Sequence, residues 1–211
     1  MRARFLSFPV LVSLLLIPSQ AVFSQGLSLS LLGGISRDSR TKTENFWKMG
    51  LNLGAHAFVS LPGITIGGRI AYHSWAADGE GQLKEVQQST LVSSNITSTE
   101  GSLSVIEIVP SLRFAILNPP VGARLDLQIG AGMFLISSST VTISGTFTTG
   151  TSTGSGTVTL TSGSLTGFGP QVALPLSLAG MIEIVPIYTA YTAGGDWYNH
   201  YALNAGFKFG I

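Results

Sequence analysis

Side chains able to bind, titrate or transfer groups are few in this 211-residue chain, and they are spread along it rather than clustered. The three histidines are His56, His73 and His200, and there is no cysteine, so neither thiol chemistry nor disulfides operate. The basic residues Arg69, Arg113, Arg124 and Lys208 and the acidic residues Glu107, Asp126 and Glu183 sit in segments of alternating apolar and polar or small residues. Parity places Asn52, His56, His73, Gln128, His200 and Asn204 on the same polar face as these charges. His56 and His73 fall on neighbouring segments, yet no carboxylate cluster completes a metal site with them. The expectation is therefore no catalytic group, no metal and no cofactor, with each histidine filling an interior as an ordinary polar side chain.

The elements that must position these residues are strands, because the alternation has period two. Leu51, Leu53, Ala55, Ala57 and Val59 alternate with Asn52, Gly54, His56 and Ser60, and Leu125, Leu127, Ile129, Ala131 and Met133 alternate with Arg124, Asp126, Gln128, Gly130 and Gly132. Eight such strands are expected. Tight turns at 61–63, 118–122 and 177–180 alternate with looser segments at 37–46, 76–102, 137–164 and 194–196. The composition agrees, being 45% hydrophobic but only 10% charged, with 26 glycines, against roughly 25% charged residues in an ordinary soluble domain. Beyond residue 25 no apolar run is long enough for a membrane helix, so a membrane-spanning form must be a closed barrel. The expected fold is all-β: an eight-stranded antiparallel up-and-down transmembrane β-barrel with short periplasmic turns and long extracellular loops.

Such a narrow barrel has an interior about wide enough for side chains alone. The charges Arg69, Glu107, Arg113, Arg124, Asp126, Glu183 and Lys208 then need partners, since unpaired burial is costly. A paired polar plug is expected; the alternative is a gate, in which rearranged pairs such as Arg124 with Glu107 or Glu183 open a narrow, low-conductance pore. Phe46, Trp47, Tyr72, Trp75, Tyr191 and Trp197 lie near strand ends on the loop side, and an outer interface girdle is expected of them.

Residues 1–25 read as a secretory signal peptide. Arg2 and Arg4 form the basic region, Phe5 to Ile17 the apolar region, and cleavage is expected near Ser24 or Gln25. Without Arg2 and Arg4 the net charge moves from +1 to −1, which gives no support for nucleic-acid binding.

The chain's last residues carry a more specific signal. Asn204, Gly206, Phe209 and Ile211 occupy the four defined positions of a pattern that resembles the C-terminal β-signal of outer-membrane barrels, with Ile211 where Phe is usual. Residues 26–211 as a whole resemble the superfamily that includes the OmpA transmembrane domain and OmpX-type proteins. The resemblance implies a bacterial outer-membrane location, surrounding lipid, and help from the barrel assembly machinery during biogenesis. It also raises lipid-modifying enzymes of similar architecture, but Ala202 stands where a nucleophilic serine would be needed two residues from His200. A structural or surface-interaction role is therefore expected first, a narrow pore second and an enzyme last. In 137–164, Val141, Ile143 and Phe147, then Val158 and Leu160, alternate with small polar residues. Strands there, and in 76–102, are expected either to prolong the barrel wall as protruding hairpins that meet an extracellular partner, or to form a solvated loop.

Overall fold

A computed structural model of the chain describes residues 26–40, 47–81, 91–117, 122–149 and 152–210. The expected signal peptide, Phe46, the turn residues 118–121 and Ile211 lie outside them. Among the described residues there are twelve strands: β1 (Leu27–Arg40), β2 (Gly50–Leu61), β3 (Ile64–Ala76), β4 (Leu91–Glu100), β5 (Ser102–Leu117), β6 (Ala123–Ser138), β7 (Val141–Thr149), β8 (Ser152–Leu160), β9 (Gly163–Ala173), β10 (Leu176–Leu178), β11 (Ile182–Ala193) and β12 (Asp196–Gly210).

Nine of them close one ring in the order β1-β2-β3-β5-β6-β9/β10-β11-β12, with β12 returning to β1 from Ser28↔Gly210 to Arg40↔Tyr198. β9 and β10 occupy a single position between β6 and β11, so the ring has eight places. Pro175 interrupts that position because it has no N–H to give the ladder, while its carbonyl accepts from Asp126 N at 2.9 Å. All pairings are antiparallel, and closure leaves the wall without an edge strand. Two-residue turning is done by residues that tolerate left-handed backbone: Gly194 (φ 59°) and Gly195 (φ 92°) join β11 to β12.

The burial pattern inverts that of a soluble protein. In β2 the inward residues include Asn52 and His56, and the outward ones include Leu51 and Leu53, about 70% exposed. Ile70, Leu203 and Phe207 are also more than half exposed. An apolar belt of this kind is unstable in water and matched by hydrocarbon.

The expected hairpin is present in the second long segment, where β7 pairs with β8, but neither segment prolongs the wall. Wall pairing ends at Ala76↔Ser102 and at Ser138↔Gly163. Beyond it, β4 from the first segment pairs with β7 from the second, and β7 with β8, giving a separate three-stranded sheet. Gly101, at φ 131°, turns the chain from this sheet into β5, and a Cβ there would press on Val141 at 2.8 Å. Val141, Ile143 and Phe147 are buried against Trp75, Phe134 and Tyr191 of the wall. The sheet is thus a lid on the loop end, held by the alternation that the segment carries in its sequence. The apolar face of β7 explains why a solvated loop is not formed: three large side chains leave water together.

Glycine at 206 has a structural reason. A Cβ there would run into the carbonyl of Leu31 on β1, whereas one at Gly210 would meet nothing within 4 Å. Gly206→Ala should cost about 1–3 kcal/mol in urea titrations of barrel refolded in detergent without assembly machinery, and Gly210→Ala should be neutral. Equal stabilities would leave Gly206 with a signalling role only.

Candidate functional site

The interior of the ring gathers most of the charges picked out above, and it is arranged in levels. Nearest the tight turns, Arg124 Nε donates to Asp126 Oδ1 at 2.7 Å; Asp126 is buried and Arg124 about one-third exposed (35%). Half-buried Lys208 shares with them a cavity of about 250 Å³ that also reaches Ser60, Thr65 and Arg113. Asp126 lies two residues along the same face of β6 as Arg124, and both glutamates are held by other arginines. That is why Arg124 pairs with neither Glu107 nor Glu183, contrary to the pairing considered from sequence.

The next level is built on Arg113. Its Nη1 donates to Glu183 Oε1 at 2.7 Å, its Nε to Gln128 Oε1 at 2.8 Å, and its Nη2 to His56 Nδ1 at 2.6 Å. A guanidinium can only donate, so Nδ1 of His56 is the acceptor. The Phe58 ring lies beneath the guanidinium, 3.9 Å from Cζ to centroid, adding a cation–π contact. Arg113 and Glu183 come from β5 and β11, which are not neighbours in the ring, so this pair ties the two walls together across the lumen.

Glu107 organises the third level. Arg69 pairs with it, and Gln171 Nε2 donates to its Oε2 at 3.1 Å and to Thr189 Oγ1 at 3.0 Å. His73 Nε2 lies 3.3 Å from Glu107 Oε1, and His200 Nε2 lies 3.5 Å from Oε2. Sequence reasoning set His56 beside His73 with no carboxylate between them. The structure corrects this, because Arg113 and Glu183 engage His56 while Glu107 from β5 stands between His73 and His200. Asn204 reaches the same level from β12; with its amide oriented to satisfy both atoms, its oxygen accepts from Arg69 Nη2 at 2.9 Å. Arg69, Glu107, Glu183, His200 and Asn204 are all 1% exposed or less.

Above Glu107 the lumen turns aromatic. Phe134 stacks on Tyr191 (centroids 4.6 Å apart) and Tyr191 on Tyr198 (5.4 Å), while Trp75 stacks on His73 (5.3 Å) and donates Nε1–H to Ser36 O at 3.1 Å. This overturns half of the expected girdle. Trp47, Trp75 and Tyr191 are buried inside, and only Tyr72 (49% exposed) and Trp197 (54%) face outward. Parity carried that information, since Trp75 follows inward His73 by two residues and Tyr191 follows inward Thr189 likewise. Phe58, also missed, shares parity with His56.

A closed eight-place ring, charged within and apolar without, decides the architecture. It is that of a small, eight-place antiparallel β-barrel with an apolar outer face. No family model and no curated protein matches the sequence of this barrel. Among solved structures it is similar to the Yersinia pestis attachment invasion locus protein Ail, crystallised with the heparin analogue sucrose octasulfate, at 15% identity over 88% of this chain and 99% of that one, TM-score 0.49. It is also similar to Neisserial surface protein A at 11% identity over 87% and 97%, TM-score 0.45, and to the N-terminal β-barrel domain of Pseudomonas aeruginosa OprF at 12% over 88% and 98%, TM-score 0.36.

In the segment that resembles a β-signal, Asn204 faces the barrel lumen, Gly206 fits closely against β1, and Phe209 (52% exposed) points to the outside. Both large charge pairs are shut from water, so removing one partner should cost more than any exposed pair contributes. Glu183→Gln, which leaves the buried Arg113 without its counter-charge, should destabilise the refolded barrel by about 3–5 kcal/mol. Arg113→Met combined with Glu183→Leu should restore most of that loss. A urea midpoint for Glu183→Gln indistinguishable from wild type would show that the pair is not buried as described.

Proposed function

We propose that this protein is a bacterial outer-membrane barrel that does not conduct, and that its lid sheet is a surface for contact with an extracellular partner. The observation that carries this reading is the β4-β7-β8 sheet itself. A barrel built for passage gains nothing from a buried apolar anchor across its mouth. Here Ile143 is fully buried, and Val141 and Phe147 nearly so, in the aromatic layer of the lumen. The anchor holds the rest of the sheet rigid and outside.

What β7 and β8 display is polar and neutral. Thr148 and Thr153 hydroxyls lie 3.0 Å apart, and Ser144 and Thr157 hydroxyls 3.3 Å apart, forming a ladder across β7 and β8. Among the described residues β8 pairs only with β7, so its far side offers unpaired backbone donors and acceptors. An extended segment of another protein adding as a further strand is the partner this edge fits. An enzymatic role has less support: His200 is enclosed in the lumen with Ala202 facing inward beside it.

The location and orientation are tested by labelling, which the lack of native cysteine makes clean. Thr153→Cys, at the tip of the lid, should react with a membrane-impermeant maleimide on intact cells. Pro62→Cys, in a tight turn at the opposite end, should react only after the outer membrane is permeabilised. The reverse pattern, or no reaction at either site in a folded protein, would remove the proposal.

A further inference from the structure

The third level of the lumen holds more than an ion pair. One ligand atom from each of His73, Glu107 and His200 lies within 4.8 Å of the others, and all three side chains are buried. The carboxylate stands 3.3 Å from one imidazole Nε2 and 3.5 Å from the other. Two ligands about 2.0–2.2 Å from a tetrahedral ion are themselves about 3.3–3.5 Å apart. Each imidazole thus stands at that edge length from one carboxylate oxygen, His73 from Oε1 and His200 from Oε2, and a small closure of the group from its 4.8 Å span would complete a coordination set.

The nitrogens are also available. Nε2 of His73 and both ring nitrogens of His200 make no hydrogen bond among the described residues, and the two Nε2 atoms only face the Glu107 carboxylate at 3.3 and 3.5 Å. A buried polar atom left in that condition costs about 1–3 kcal/mol, and a shared cation satisfies two of these nitrogens at once. Outer-sphere support is in place. Ser36 Oγ lies 3.1 Å from the other nitrogen of His73, and Gln171 fixes Glu107 from behind at 3.1 Å. Such contacts orient ligating imidazoles and carboxylates.

We propose that His73, His200 and Glu107 bind one divalent transition-metal ion of the zinc class. Two imidazoles and one carboxylate suit that class and leave a fourth position. The ligands come from β3, β5 and β12, and β12 is separated from β3 in the ring by β1 and β2. The ion is thus a staple across the lumen, just beneath the aromatic layer. Arg69 is the opposing element: its guanidinium pairs with Glu107 and repels a second cation there. Its removal should strengthen metal binding, a response that a purely structural arginine would not give.

The test uses the full chain expressed in bacterial membranes and purified folded in detergent, with folding followed by heat-modifiable migration. Zn²⁺ is titrated and retained metal is counted by mass spectrometry after dialysis; Co²⁺ is titrated separately for its d–d absorption. Wild type should hold one equivalent and show tetrahedral Co²⁺ bands. His200→Phe, which substitutes a ring beside Phe134 and Tyr191, should lose both signals, and Arg69→Gln should bind at least about tenfold more tightly. Should His200→Phe fail to fold, His73→Gln provides the same loss. No retained metal and no Co²⁺ bands in folded wild type would overturn the proposal. So would equal retention by the histidine variants.

Discussion

The structure depends on two guanidinium–carboxylate pairs placed where water cannot reach them. Arg69 with Glu107 and Arg113 with Glu183 are buried at 2% exposure or less in a tube only wide enough for side chains. Neither charge can be left alone there without several kcal/mol of desolvation. Each pair is consequently embedded in neutral donors and acceptors, Gln128 and His56 around one and Gln171 and Asn204 around the other. The Arg113–Glu183 pair joins β5 to β11, which the ring keeps apart, and so specifies which parts of the wall face each other, whereas Arg69–Glu107 joins the neighbours β3 and β5. Both pairs occupy the space through which a solute would pass.

The second constraint is the change from polar to apolar filling toward the loop end. Trp75, Phe134, Tyr191 and Tyr198 cannot satisfy charges, and they leave an apolar surface that would be open to water. The lid covers it with Val141, Ile143 and Phe147. This links the barrel's interior to the separate sheet: the same aromatic layer that ends the polar plug anchors β7. β8, which among the described residues pairs only with β7, is therefore held on a packed base rather than on a tether.

Much of this was legible in the sequence, and the rest has identifiable reasons for being hidden. Period-two alternation located the wall strands and the face carrying Arg69, Glu107, Arg113 and Glu183, because a membrane barrel makes parity nearly absolute. Pairing was not legible, since Arg113 meets Glu183 seventy positions along the chain, at a distance set by register and shear. The grouping of His73, Glu107 and His200 was hidden for the same reason. Val141, Ile143 and Phe147 showed alternation but not its destination; nothing local says that β7, which folds back on β8, also takes β4 from the other loop as a partner. Trp75 and Tyr191 were misplaced by weighing aromatic type and strand-end position above parity.

The central claim is that the lumen is closed by its own side chains, and current through single molecules tests it most directly. Barrel inserted into a planar lipid bilayer should be electrically silent, with insertion confirmed by heat-modifiable migration of protein recovered from the same preparation. Reproducible unitary conductance steps from folded wild-type protein would contradict the account, because they would require Arg69, Glu107, Arg113 and Glu183 to part and admit water.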